Sequence, residues 1–165
     1  MSTRYPFSPE SAHLPTANAA ALKKDPAGRF VLVFDPAIKE GAMWQGIAPQ
    51  NFSGTPNCVA IVSYYVSEQG DATKNVVWLG SLEAPTPGST TVGSASSWEA
   101  NLTTAVSAIP STANTYKQET ITLPYAVGLT AGAYFRFKLE RNAAATFDTC
   151  TGNAHVMTVE FRDAV

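Results

Sequence analysis

The sequence predicts an all-β protein: an antiparallel β-sandwich, a jelly roll of about eight strands, with an extended N-terminal arm. Three observations lead there. From Tyr134 to Arg141 the chain alternates, with Phe135, Phe137 and Leu139 on one side and Tyr134, Arg136, Lys138 and Glu140 on the other. That period marks a strand with one face in a core and one in water. Comparable segments of about six to nine residues recur between clusters of Gly, Pro, Asn, Asp and Ser. The body of the chain shows no helical period of useful length.

Residues 1–28 differ from the rest. Tyr5-Pro6-Phe7-Ser8-Pro9 and Leu14-Pro15 are extended or polyproline-like, because proline restricts itself and its predecessor. Ala19 to Lys24 suits a short turn of helix with Asn18 as N-cap. Tyr5, Phe7 and Leu14 are anchors that a solvated tail has little use for. They are expected to bind a neighbouring subunit, making residues 1–28 an arm and residues 29–165 the sandwich.

Phe30 to Phe34 is a continuous apolar run ended by Asp35-Pro36, and reads as a strand. Glu40 to Ile47 is a second. Cys58 to Val66 is apolar on both faces, hence a central strand covered on each side. Ser67 to Thr73 turns the chain, and Asn75 to Leu82 returns with Val76, Trp78 and Leu82 on one face. Residues 84–97 form a charge-free loop of small residues, long enough to be functional. Trp98 to Ile109 and Thr115 to Leu123 read as further strands, the second with Ile121 and Leu123 opposed to Tyr116, Gln118 and Thr120. Ala143 to Asn153 is a polar loop. His155, Met157, Val159 and Phe161 are expected on one face of a closing strand.

At 165 residues the chain suits one domain with an adequate core. Charged residues are only 15%, the formal net charge is −2, and no basic run provides a footprint for nucleic acid. No stretch approaches the ~20 apolar residues of a membrane helix. The first residues lack the apolar segment of a signal peptide, so synthesis in a cytosol is expected. In that compartment Cys58 and Cys150 are expected as free thiols.

The search for chemistry finds little. His13 and His155 are far apart, and the spacings that carry zinc or phosphate sites are missing. No metal or cofactor is expected. Glu83, Glu99, Glu119, Glu140 and Glu160 lie on or beside strands among basic residues, the pattern of a solvated face rather than of a catalytic carboxylate pair. Catalysis is therefore not expected. Asp148 to Asn153 offers oxygen ligands but one carboxylate, which favours a turn. Tyr64, Tyr65, Trp44 and Trp78 would suit a sugar-binding platform, although aromatic residues also fill strand cores.

Several pieces, in this order and spacing, resemble a family of small phage virion proteins: Leu14-Pro-Thr-Ala-Asn18, Val31-Leu-Val-Phe-Asp35, Ala48-Pro-Gln-Asn-Phe-Ser-Gly54, Asn75-Val-Val-Trp78, Leu129 to Arg141 and Gly152 to Phe161. Ala133 stands where that family usually carries an acidic residue. The resemblance implies a jelly-roll structural protein of the virion, without catalytic residues. It implies attachment to a capsid or a tail. Because a sandwich offers rigid faces and an arm can tie neighbouring subunits together, the expectation is a head decoration or cement protein. Such a protein would be bound to the major capsid protein or other virion proteins as a homo-oligomer, dimer or trimer. The alternative is a carbohydrate- or receptor-binding module on the virion surface or tail, using the aromatic strand faces or the 84–97 loop.

Overall fold

A computed structural model describes residues 4–50, 52, 57–67, 69–85, 102–124 and 129–163. Among these, ten strands build two antiparallel sheets. They are β1 (Arg4–Phe7), β2 (Ala21–Lys24), β3 (Phe30–Phe34), β4 (Glu40–Ile47), β5 (Asn57–Val66), β6 (Asn75–Glu83), β7 (Leu102–Ala108), β8 (Lys117–Pro124), β9 (Tyr134–Arg141) and β10 (Ala154–Asp163). Sheet A runs β2-β3-β10-β5-β8, with β1 also paired to β10; sheet B runs β4-β9-β6-β7. The fold is a jelly-roll sandwich, and β3 to β10 are the eight strands expected over residues 29–165.

The strand patterns explain the layers. Burial alternates strictly along β9, and Phe135, Phe137 and Leu139 are fully buried between the sheets. In β5, Ala60, Val62 and Tyr64 face the same interior, while Ile61, Ser63 and Tyr65 are buried on the outer side. That doubly covered strand sits between β10 and β8, as its apolar run implies. The sheets close tightly at Gly80 of β6, where an added Cβ would lie 2.9 Å from Ile121 of β8. A buried hydrogen bond of 2.6 Å between the Tyr64 and Ser107 hydroxyls also joins them, and burial pushes the Tyr64 phenol up to about 12.

β10 departs from the expected phase. Its register with β5 shifts between Val156 and Thr158. One extra residue at a bulge moves all later side chains to the opposite face. Ala154, Val156, Val159 and Phe161 therefore point into the core, whereas His155 and Met157 lie on the outer face. The expectation that His155, Met157, Val159 and Phe161 share one face is corrected accordingly.

The first 28 residues do not form a separate arm. β1 pairs with the second half of β10, Phe7 opposite Val159 and Arg4 opposite Arg162. The chain then crosses to sheet B. His13 and Met43 exchange backbone hydrogen bonds of 2.7 and 3.0 Å, and Gly41 donates to Asn18 at 2.9 Å. Thereafter β2 returns to sheet A beside β3, Leu22 opposite Leu32. The short helix expected over Ala19 to Lys24 is replaced by this strand. The physical reason is that β10, β4 and β3 would otherwise present unpaired backbone groups along their edges.

The arm's anchors are occupied by the chain itself. Phe7 is 4% exposed and stacks on Trp44 at 5.9 Å, and Tyr5 packs on Phe7 and Phe135. Leu14 remains 42% exposed.

Arg141 continues the inward phase of β9 and, although charged, is fully buried. Its Nη2 and Nε donate to the two Asp148 oxygens at 2.9 and 3.1 Å. The guanidinium also donates to the carbonyls of Gly152 (2.8 Å) and Cys150 (2.6 Å), while Asp148 accepts from the Val77 amide at 3.0 Å. The 148–153 segment is thus a turn wrapped around a buried ion pair. Cys58 and Cys150 are both buried and are not joined in a disulfide, and burial pushes the Cys150 thiol up.

Because Phe7 belongs to the core, F7A should cost about 3–5 kcal/mol of stability in urea unfolding. A loss below about 1 kcal/mol, the size of a surface change, would instead return residues 1–28 to the status of an arm.

Candidate functional site: an aromatic cleft on sheet A

Asp25-Pro26-Ala27-Gly28-Arg29 is the tip of the β2–β3 hairpin. Gly28 has φ +80°, a backbone conformation that favours glycine, and donates to the Asp25 carbonyl at 2.9 Å. The Asp25 carboxylate ties the tip together. Its Oδ1 accepts from the Ala27 and Arg29 amides, each at 2.9 Å. Its Oδ2 accepts from Arg29 Nε at 2.8 Å and lies 2.7 Å from Nη2. The Arg29 amide, followed by that guanidinium and the Ala27 amide, holds the Asp25 carboxyl below its ordinary range against an opposing effect of desolvation. The Arg29 side chain nonetheless stays 65% exposed.

This tip forms one wall of a cleft of about 520 Å³ on the outer face of sheet A. Its floor is Tyr65 and Met157, and its other wall is Asn114 and Tyr116. Tyr65 is 8% exposed and stacks on His155 at 4.6 Å with 13° between the planes. His155 Nε2 is in turn 3.0 Å from the Ser67 hydroxyl. Val31, Val33, Ala21 and Met157 pack with Tyr65 as a small apolar cluster separate from the main core. The floor is therefore fixed, and burial pushes the Tyr65 phenol up.

Tyr116 is different: it is 54% exposed. Asn114, at φ +59°, turns the chain into β8 and donates its amide to the Val66 carbonyl at 2.8 Å. The Tyr116 hydroxyl reaches 3.4 Å from Ser63, which accepts from Gln118 at 3.2 Å. The cleft thus combines an accessible aromatic ring, a buried one, a guanidinium and a side-chain amide. Such a set can stack on an apolar ligand face while directing donors and acceptors at its polar edge.

Of the four aromatic residues singled out for a sugar platform, Trp44, Trp78 and Tyr64 are buried between the sheets, each 1% exposed or less. Only Tyr65 reaches the outer face. Sequence reasoning did not single out Tyr116 or Arg29. Tyr116 was placed opposite the Ile121 and Leu123 face, which is the available signal. Nearly all of the 84–97 loop lies outside the described residues, as do Trp98 and Glu99. Phe7 lies in the core, Tyr5 is half-buried against it, and Leu14 is exposed elsewhere, so the three do not present one surface together.

The carboxylates are spread out and paired. Glu83 pairs with Arg136, Glu119 with Lys117, Glu140 with Lys39 and Lys138, and Glu160 with Arg4 and Arg162. Among the described residues no three His, Cys, Asp or Glu side chains gather as metal ligands would.

No protein-family model matches the chain, and no curated protein matches it. Solved structures do. The CBM35 domain from Cellvibrio japonicus superposes with a TM-score of 0.57 at 9% identity, covering 98% of this chain and 95% of that one. A family 35 carbohydrate-binding module from Clostridium thermocellum gives 0.55 at 13%, with 96% and 97% covered. The xylan-binding module CBM15 gives 0.54 at 11%, with 99% and 98% covered. The chain has the fold of these modules. At such identities the likeness concerns architecture, and it places the ten strands in a known jelly-roll class.

Protonating Asp25 removes the charge that clamps Arg29. With its folded-state value lowered, the carboxylate contributes stability above the ordinary aspartate range of about 3.9. That contribution is lost as pH falls through the lowered value. Thermal denaturation of D25N and the parent should therefore differ near neutral pH and converge in acid. A difference independent of pH would contradict the charged clamp.

Proposed function

We propose that this protein is a carbohydrate-binding module whose site is the cleft between the hairpin tip and Tyr116. The observation that carries the reading is Tyr116 itself, an exposed ring held beside Arg29 and Asn114 over a fixed aromatic floor. A sugar ring has an apolar C–H face and a rim of hydroxyls, and the cleft offers a partner to each. The jelly-roll likeness to carbohydrate-binding modules supports the same reading. The capsid-decoration reading has no comparable observation in its favour, because Tyr5 and Phe7, its attachment anchors, are used in the chain's own core.

A glycan array that includes plant cell-wall polysaccharides tests this reading, followed by calorimetry on the hits. Y116A should weaken binding by about tenfold or more, equivalent to ~1.4 kcal/mol. Its unfolding free energy should change by no more than about 0.5 kcal/mol, because the ring is half-exposed. Saturable binding unaffected by Y116A would move the site elsewhere, and the absence of any glycan ligand would end the proposal.

A further inference from the structure

The outer-face cleft has a neighbour at the hairpin. A second depression of about 750 Å³ lies on the far side of Arg29, lined by Tyr5, Pro6, Phe30, Gln45 and Thr158 among others. Arg29 and Met157 line both. The hairpin tip is therefore a ridge between two depressions that share Arg29 and Met157, the second lying by the flank where β1 and β3 part company along β10.

Two further features bear on what fits. One exposed ring lines each depression, Tyr116 at 54% and Phe30 at 38%. The charge at the ridge is compensated, since the Arg29 guanidinium is paired to Asp25. Among the described lining residues, the other acidic or basic side chain is Glu10. Lys24 lies 4.9 Å over the Phe30 ring, but it does not line the depression. Among the described residues that line the two depressions, a ligand bearing carboxylates or sulfates would meet a guanidinium already paired to Asp25 and the acidic side chain of Glu10.

Resting on the carbohydrate-binding reading above, we propose that the two depressions form one groove. The groove takes the interior of a linear, uncharged oligosaccharide, laid across Arg29 with a sugar on Tyr116 and another on Phe30. A single cleft would need only a chain end or a short saccharide. Two depressions with a ring in each gain contacts as the chain lengthens.

Calorimetry with xylo-, cello- and manno-oligosaccharides, from disaccharide to hexasaccharide, reads this out. For the series that binds, affinity should rise by about tenfold or more with length. F30A should remove that gain for the hexasaccharide while leaving the disaccharide unchanged, and F30Q should behave alike if F30A folds poorly. An oligogalacturonate of matching length should bind more weakly than the neutral chain. Affinity that is flat with length, or a length gain that survives both Phe30 variants, overturns the groove but leaves the cleft as a sugar site. Tighter binding of the acidic chain overturns the preference for uncharged ligands. If none of the three neutral series binds, the groove fails together with the carbohydrate-binding reading.

Discussion

Much of this structure depends on a break in the pairing along one edge of β10. Its other edge belongs to β5, from Ala154 to Asp163. On the open edge β3 covers Ala154 to Val156 and stops, and β1 takes over from Val159 to Arg162. Between them Met157 and Thr158 have no strand partner on that side, and the Thr158 hydroxyl donates to the Phe7 carbonyl at 3.0 Å. The bulge with β5 falls at Met157, between the pairs Val156–Tyr64 and Thr158–Ser63. At this irregularity the pairing with β3 ends and the N-terminal strand enters. Met157, outward like His155, lines the cleft while Val159 and Phe161 turn into the core. Bulges that re-aim side chains beside functional surfaces are a general device of antiparallel sheets.

The opposite end of β9 and the loop after it are held by a different kind of contact. Arg141 and Asp148 are both fully shielded from water. Such a pair adds little net stability over apolar packing, because desolvation offsets the attraction, but breaking it leaves a buried charge. Here the guanidinium also satisfies carbonyls of the 148–152 turn, and Asp148 satisfies an amide of β6. The pair therefore specifies one conformation for a segment with few apolar residues. The result is a scaffold whose loops are fixed by polar contacts at one end and whose groove is shaped by strand pairing on the flank.

How much of this was legible in the sequence follows from periodicity. β9 and β8 were readable because each keeps one phase that matches burial, and β5 because its continuous apolar run matches burial on both faces. β10 was not, since a period-two pattern cannot register one inserted residue. His155 and Met157 look like a continuation of Val159 and Phe161 until pairing with β5 is known. β2 was missed because Lys23 and Lys24 follow Ala21 and Leu22, leaving no strand alternation, and its pairing with β3 decides its form. Arg141 is charged by residue type, while its phase placed it inward. The site was legible only in part: Tyr65 was named among four aromatic residues, but separating it from Tyr64 requires knowing which face is covered. Arg29 and Tyr116 come together from segments far apart in sequence, which no local pattern reveals.

The proposed groove places the ligand-binding surface of this jelly roll at the break in β10. Amide chemical-shift mapping of the isotopically labelled chain, titrated with a neutral hexasaccharide that binds, tests it most directly. The account predicts the largest shifts at Arg29, Phe30, Tyr65, Asn114, Tyr116, Met157 and Thr158, with the Arg141–Asp148 end unmoved. Shifts centred on residues 142–152, or on the outer face of sheet B around Lys138 and Glu140, would contradict it.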